Sequence, residues 1–160
     1  MSLAPIFHNI TGLSPLITSW KSQGNTIAFT NGCFDILHKG HTDYLTASST
    51  IGNRLIVGLN SDISIQKIKG ANRPIQDQNC RSSVLRTIKG IDAVIFFDDE
   101  TPISLIKGIK PDFIIKGGDY KEEEMIGRDF VKSYGGQCII LPFTKGYSTS
   151  AIINKITTLK

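Results

Sequence analysis

The stretch FTNGCFDILHKGH, residues 29–41, sets Asp35, His38 and His41 between an apolar run and the start of a helix-like pattern. At spacing i, i+3 across a helix start, both imidazoles can point toward the helix N-terminus. Unpaired N–H groups and partial positive charge there attract phosphate. Imidazoles in that position can donate hydrogen bonds to a phosphate whose charge grows during displacement. Gly32 and Gly40 would let the backbone approach it closely. A zinc site would need further ligands, and Cys33 is the nearby candidate, with no HExxH or paired CxxC in the chain. Phosphate handling is the favoured reading; ordinary histidines near a turn and a metal site stay open beside it, and no metal ligands are assigned.

Other polar clusters fit the same chemistry. Lys116-Gly117-Gly118-Asp119-Tyr120 offers a cation, two flexible residues and an acid, suited to a polar ligand or to a plain surface loop. Gly146-Tyr147-Ser148-Thr149-Ser150 precedes an apolar-periodic stretch; taken alone it reads first as an N-cap, with more hydroxyls than a cap requires. Lys69-Gly70 and Arg73-Pro74 are candidate mobile basic contacts, and Asp98-Asp99-Glu100 reads as a solvated acidic turn. Walker A, GxSxG and GxGxxG patterns are absent, which removes the usual support for kinase, hydrolase and dinucleotide readings.

These residues need a frame. A chain of 160 residues, 40% apolar and 20% charged, fits one soluble domain with a real core. Eighteen Lys plus Arg against 14 Asp plus Glu leave +4, which favours anionic partners. The basic residues sit singly beside glycine or proline rather than in blocks interleaved with aromatics, so a small phosphorylated ligand is expected and nucleic acid is not. No apolar run is long enough to cross a bilayer and no signal-peptide pattern opens the chain. Three scattered cysteines do not suggest a disulfide framework, so the expected setting is the cytoplasm, without a membrane partner.

Residues 1–24 read as a leading segment with a short helix from about Pro15 to Gly24. Strands are expected at 26–31, 54–60, 93–97, 113–116 and 137–143. Helices are expected at about 41–50 with Tyr44, Leu45 and Ala47 inward, and at 78–89 with Val84, Leu85 and Ile88 inward. Further helices are expected from a Thr101 cap with Pro102 at the first turn, over 122–134, and over 148–156, with 61–74 irregular or briefly helical. Alternating, nearly continuous apolar strands predict an α/β fold: a Rossmann-like five-stranded parallel sheet in a single domain, with helices on both faces. Ligands in such sheets bind beyond the carboxyl ends of strands where strand order reverses. Asn31 to His41, Asn60 to Asp62, Lys116 to Tyr120 and Gly146 to Ser150 all fall at such ends and should share one crevice.

NGCFDILHKGH resembles the HxGH signature of the nucleotidyltransferase superfamily, and Ser148-Thr149-Ser150 its second signature. NGCFDILHKGHTDYL, LIVGLNSD, KGANRPI, the TP of DDETP, PDFIIKGGDY and GYSTSAII together resemble the adenylyltransferase domain that makes ADP-heptose for lipopolysaccharide, over about residues 25–157. No kinase portion accompanies the match, which implies the stand-alone form. The resemblance implies that ATP and D-glycero-β-D-manno-heptose 1-phosphate give ADP-heptose and pyrophosphate, with Mg2+ accompanying ATP and a homodimer as the assembly. It assigns catalytic roles to His38, His41 and Lys69. It assigns ATP binding to Asn31, Gly32, Cys33, Phe34, Gly40, His41, Lys116, Gly117, Asp119, Ser148, Thr149 and Ser150, and the sugar phosphate to Asp35, Asn60, Asp62 and Arg73. The chain departs from related patterns at Cys33, where cytidylyltransferases often have threonine, and at Asn79, where the heptose family commonly has an acid. Lys145-Gly146-Tyr147 replaces an arginine that many cytidylyltransferases carry before the late signature. The alternatives are a cytidylyltransferase for glycerol 3-phosphate or another polyol phosphate, a silent nucleotide-binding module, and, more distantly, a nucleic-acid-binding protein.

Overall fold

Strand β3, Arg54–Asn60, explains the continuous apolar runs. Leu55, Val57 and Leu59 pack into one core layer and Ile56 into the other, so both faces of the strand are buried. The structure, a computed structural model, describes residues 3–159. Around β3 lie β1 (Ile6–Phe7), β2 (Ile27–Gly32), β4 (Ala93–Phe97), β5 (Phe113–Gly117) and β6 (Gln137–Leu141). They form one six-stranded parallel sheet in the order β1-β4-β3-β2-β5-β6. The expected five strands are all present. The sixth, β1, pairs Ile6 with Val94 and Phe7 with Ile95 at the sheet edge, and two residues are too few to give a periodic signal.

The helices are α1 (Ile10–Ser22), α2 (Lys39–Ser48), α3 (Asp62–Lys69), α4 (Gln78–Leu85), α5 (Ile103–Ile109), α6 (Arg128–Ser133) and α7 (Thr149–Thr157). α1 begins earlier than Pro15 because Asn9 caps it, its side chain accepting from the N–H of Gly12 at 2.9 Å. Leu13, Ile17 and Trp20 carry the leading segment into the same core as β2 and β5. On α2 the buried face is Tyr44, Leu45 and Ser48, not Ala47. On α4, Val84 is exposed and Arg81 is buried instead. α5 starts one residue later than expected, with Pro102 at the cap and no side-chain bond from Thr101. The expected helix over 122–134 is broken: a 3-10 turn at Glu122–Glu124 is separated from α6 by Gly127, whose φ of 87° a right-handed helix cannot continue.

From β2 the chain moves outward to β3 and β4, then crosses back to place β5 on the other side of β2. The strand order therefore reverses between β2 and β5. These two strands pair only at Ala28–Phe113 and Phe29–Ile114, whereas β2 pairs β3 along its whole length to Gly32. Beyond Phe29 and Ile114 they splay, and a crevice opens between Asn31 and Lys116. Ile56, fully buried at the sheet centre, gives a direct check of this packing. Ile56→Ala is expected to lower unfolding stability by about 2–5 kcal/mol; urea titration would read this as a clear drop in midpoint, and an unchanged midpoint would contradict the packing.

Candidate active site

A cavity of about 470 Å³ fills the crevice. Asn31 to Asp35 form its floor, with His41, Asn60, Lys69, Arg73, Lys116, Gly117 and Thr149 around it. Four segments far apart in sequence thus meet where the strand order reverses, as the positions of the polar residues predict.

His38 caps α2 with extended backbone, and its carbonyl accepts from the N–H groups of His41 and Thr42. The two imidazoles stack, with centroids 3.8 Å apart and planes 20° from parallel. Phe34 meets His41 edge-on at 5.4 Å. Gly40 makes the arrangement possible, because a Cβ there would lie 3.0 Å from the His38 ring and 3.2 Å from Cβ of Tyr147. The Nδ1 atoms of both histidines are buried with no hydrogen-bond partner. Desolvation, then the charges of His38 and Lys69, bring His41 down to about 4. Desolvation also lowers His38. Both rings therefore favour the neutral form near pH 7, and their Nδ1 atoms are open to a polar group.

The loop carrying these histidines is fastened by Asp35. Its carboxylate accepts from Nε and Nη2 of Arg73 at 2.9 and 2.7 Å, and from the N–H groups of Ile75 and Gln76 at 2.8 and 3.0 Å. Burial would push this carboxyl up, but the two backbone bonds and Arg73 outweigh burial and hold it below the usual range. Its main-chain carbonyl accepts from the Thr149 hydroxyl at 2.8 Å, which ties α7 to the same loop.

Of the hydroxyl run, Ser148 is the cap, its side chain accepting from Ala151 N–H, and Thr149 reaches the cavity. Ser150 has no side-chain bond among the described residues. The Asn60 side chain is held by Ser64 at 2.9 Å. Lys69 ends α3 at the cavity wall. Lys116 donates to Oδ1 of Asn31 at 2.7 Å across the splayed strands.

Six of the expected residues are not on the cavity wall: His38, stacked on His41, Gly40 beside it, Ser148 and Ser150 flanking Thr149, and Asp62 and Asp119. The Asp62 carboxylate receives Nη2 of Arg81 at 2.7 Å and lies off the cavity wall. Asp119 is exposed beyond the wall, and Tyr120 lines the cavity in its place. Asp35 does line the cavity, but its oxygens are committed to Arg73 and the 75–76 backbone.

Other functional residues escaped the sequence reading. Arg81 is 1% exposed and donates to the carbonyls of Cys33, Asn60 and Gln76 at 2.7, 2.8 and 2.9 Å, joining three walls of the site. Phe143 follows β6 and lies over Gly117 and Gly118, where φ at Gly118 is +107° and a Cβ would strike the ring. Thr101 and Pro102, the TP of the DDETP motif, also line the cavity just after β4, although no site role was expected of them.

The histidine environment predicts a pH signature. Unfolded His41 takes up a proton below about 6.5, whereas the folded ring stays neutral down to about 4. Between these values the unfolded state binds more protons, so stability falls as pH drops through that window and this contribution levels off below it. Denaturant titrations at pH 7, 5.5 and 4.5 are expected to show the loss, with a shallower fall in His41→Ala; identical pH slopes would refute it.

A family model described as cytidylyltransferase-like matches residues 29–155. A bifunctional protein HldE of Methylobacillus flagellatus is 46% identical over 148 residues, covering 92% of this chain and 30% of that protein. The HldE of Bradyrhizobium diazoefficiens is 44% identical over 143 residues, covering 89% of this chain and 29% of that protein. The chain thus spans under a third of the length of these relatives. The crystal structure of a lipopolysaccharide core biosynthesis protein from Thermoplasma volcanium matches with TM-score 0.62 and 29% identity, over 78% of this chain and all of that one. No helix among the described residues is long and apolar enough to cross a membrane. The family match begins in β2 and runs through both histidines, Lys116 and the α7 start, and on it the chain belongs to the cytidylyltransferase-like family and is a nucleotidyltransferase.

Proposed function

We propose that the chain transfers AMP from ATP to D-glycero-β-D-manno-heptose 1-phosphate, giving ADP-heptose and pyrophosphate for lipopolysaccharide core synthesis. The observation that carries the phosphate chemistry is the stacked, neutral His38–His41 pair with unpartnered Nδ1 atoms, set at the start of α2 against the start of α7. The choice of acceptor rests on the motif set ending in KGGDY and GYSTSAII, the relatives named HldE and the neighbour described as a lipopolysaccharide core biosynthesis protein.

In this reading an oxygen of the sugar phosphate attacks the α-phosphorus in line, the bond from that phosphorus to the β-bridging oxygen breaks, and pyrophosphate leaves. No covalent nucleophile is required, so the protein contributes position and preorganised donors. His38 and His41 donate to oxygens of the transferring and leaving phosphates. Desolvation favours neutral rings at this site, and both move toward their charged form as phosphate charge builds beside them. Lys69 clamps the same phosphates, and the N–H groups at the start of α7 hold the β- and γ-phosphates. Asn31 to Phe34 meet the nucleotide through backbone groups.

Magnesium belongs to the proposal as the partner of ATP, where it would neutralise phosphate charge. No three His, Cys, Asp or Glu side chains among the described residues converge on a metal position. Of the cavity carboxylates, Asp35 already accepts four hydrogen bonds, which leaves Glu100 to meet the ion. The donor set fits an ion carried mainly by the triphosphate's own oxygens. A cytoplasmic homodimer completes the proposal.

The second reading is a polyol-phosphate cytidylyltransferase, favoured by the description of the matching family and opposed by Lys145-Gly146-Tyr147 before the late signature. Pyrophosphate release with magnesium, crossing ATP and CTP against the heptose 1-phosphate and glycerol 3-phosphate, separates them. Release with ATP and the heptose phosphate alone is expected; release with CTP and glycerol phosphate would replace the acceptor and base while keeping the chemistry. His41→Ala is expected to hold ATP affinity within several-fold while turnover falls about 100–1,000-fold. Near-normal turnover would remove His41 from the reaction.

A further inference from the structure

Lys116 is a cavity cation for which the fold supplies no countercharge. It stands near the end of β5 at the point where strand order reverses, and its one hydrogen bond is to the neutral Asn31 amide. No carboxylate lies within ion-pair distance of it among the described residues. The cavity's guanidinium, Arg73, is by contrast paired with Asp35. Next to Lys116, Gly117 is buried, with the buried Tyr44 ring and the more exposed Phe143 ring close against it. Holding an ammonium there costs stability unless an anion arrives. Desolvation brings it down to about 8, although nearby Cys33 pushes in the opposite direction. An ammonium has three donors; Asn31 takes one, and a ligand can take the others.

The proposed reaction brings two anionic ligands together. The triphosphate already has donors at the α2 and α7 starts, the two histidines and Lys69. The acceptor's own phosphate must approach the α-phosphorus against like charge, and Arg73, the cation that the resemblance gives to it, is already paired with Asp35. We infer that Lys116, oriented by Asn31, binds the phosphate of the acceptor substrate and selects for a phosphorylated acceptor. This rests on the function proposed above and moves Lys116 from the nucleotide to the acceptor.

The test is Lys116→Met, which keeps the alkyl stem and removes the charge. Calorimetry on protein saturated with α,β-methylene-ATP is expected to show heptose 1-phosphate binding weakened about 10- to 100-fold, with affinity for the analogue itself within about three-fold. Lys116→Arg is expected to restore part of the acceptor affinity. The ligand-free Met variant should melt no lower than wild type, because an uncompensated charge has been removed. Unchanged acceptor affinity, an equal loss for the nucleotide analogue, or a lowered melting temperature would overturn the assignment. Inorganic phosphate, titrated into nucleotide-filled protein, separates this inference from the choice of sugar. Phosphate binding that depends on Lys116 without any binding of the heptose phosphate upholds the anion site and refutes the sugar. Phosphate binding that is absent, or equal in wild type and Lys116→Met, refutes the anion site.

Discussion

The Asp35 carboxylate, 2% exposed, holds together the loops from which the site is built. Through Arg73, Ile75 and Gln76 it binds the segment between α3 and α4, and its carbonyl holds Thr149 at the start of α7. Arg81 reinforces the same junction from below, donating to carbonyls of Cys33, Asn60 and Gln76. A buried carboxylate stays charged only when its lone pairs are filled, and here the donors come from the very segments that must be brought together. Breaking such a buried pair from one side costs about 3–5 kcal/mol, so the clamp has the strength to fix loop positions.

That strength is used against backbone strain. Phe34 and Ile36, on either side of Asp35, both adopt positive φ, at 45° and 55°. Such conformations cost about 1–3 kcal/mol each for residues with side chains. The return is geometric: the chain turns sharply enough to deliver Phe34 against His41 and to start α2 at the cavity edge. With Gly40 admitting the His38 ring, both imidazoles end up stacked, with their Nδ1 atoms buried and the neutral form favoured. A phosphate then meets donors that need little rearrangement, the condition under which electrostatic stabilisation is effective. Lys116 and Asn31 form another wall, joined where β2 and β5 separate beyond Phe29 and Ile114.

Strands were legible because full burial leaves long apolar runs, and the crevice was legible because polar clusters follow those runs. β1 escaped because its two residues carry no period, and the break before α6 because Gly127 reads as an ordinary helical glycine until its φ is known. Within the site, His38, His41, Lys116 and Thr149 could be placed from local pattern. Arg81, Asp35 and Asp62 could not be given their roles, since all but one of their side-chain-mediated contacts named above reach 19 to 114 residues along the chain. A charged side chain in sequence does not reveal whether its charge is free for a ligand or spent on the fold. Asp62 and Asp119 looked equivalent to Asn60 and Lys116, and only packing separates them.

Transfer at the α-phosphorus of ATP, as proposed, can be followed through the fate of labelled phosphorus. With ATP labelled at the α-position and the heptose 1-phosphate as acceptor, the label is expected to enter the sugar nucleotide, while label at the γ-position leaves in pyrophosphate. Label from the γ-position in the sugar product, or no label transferred from either position, would contradict it.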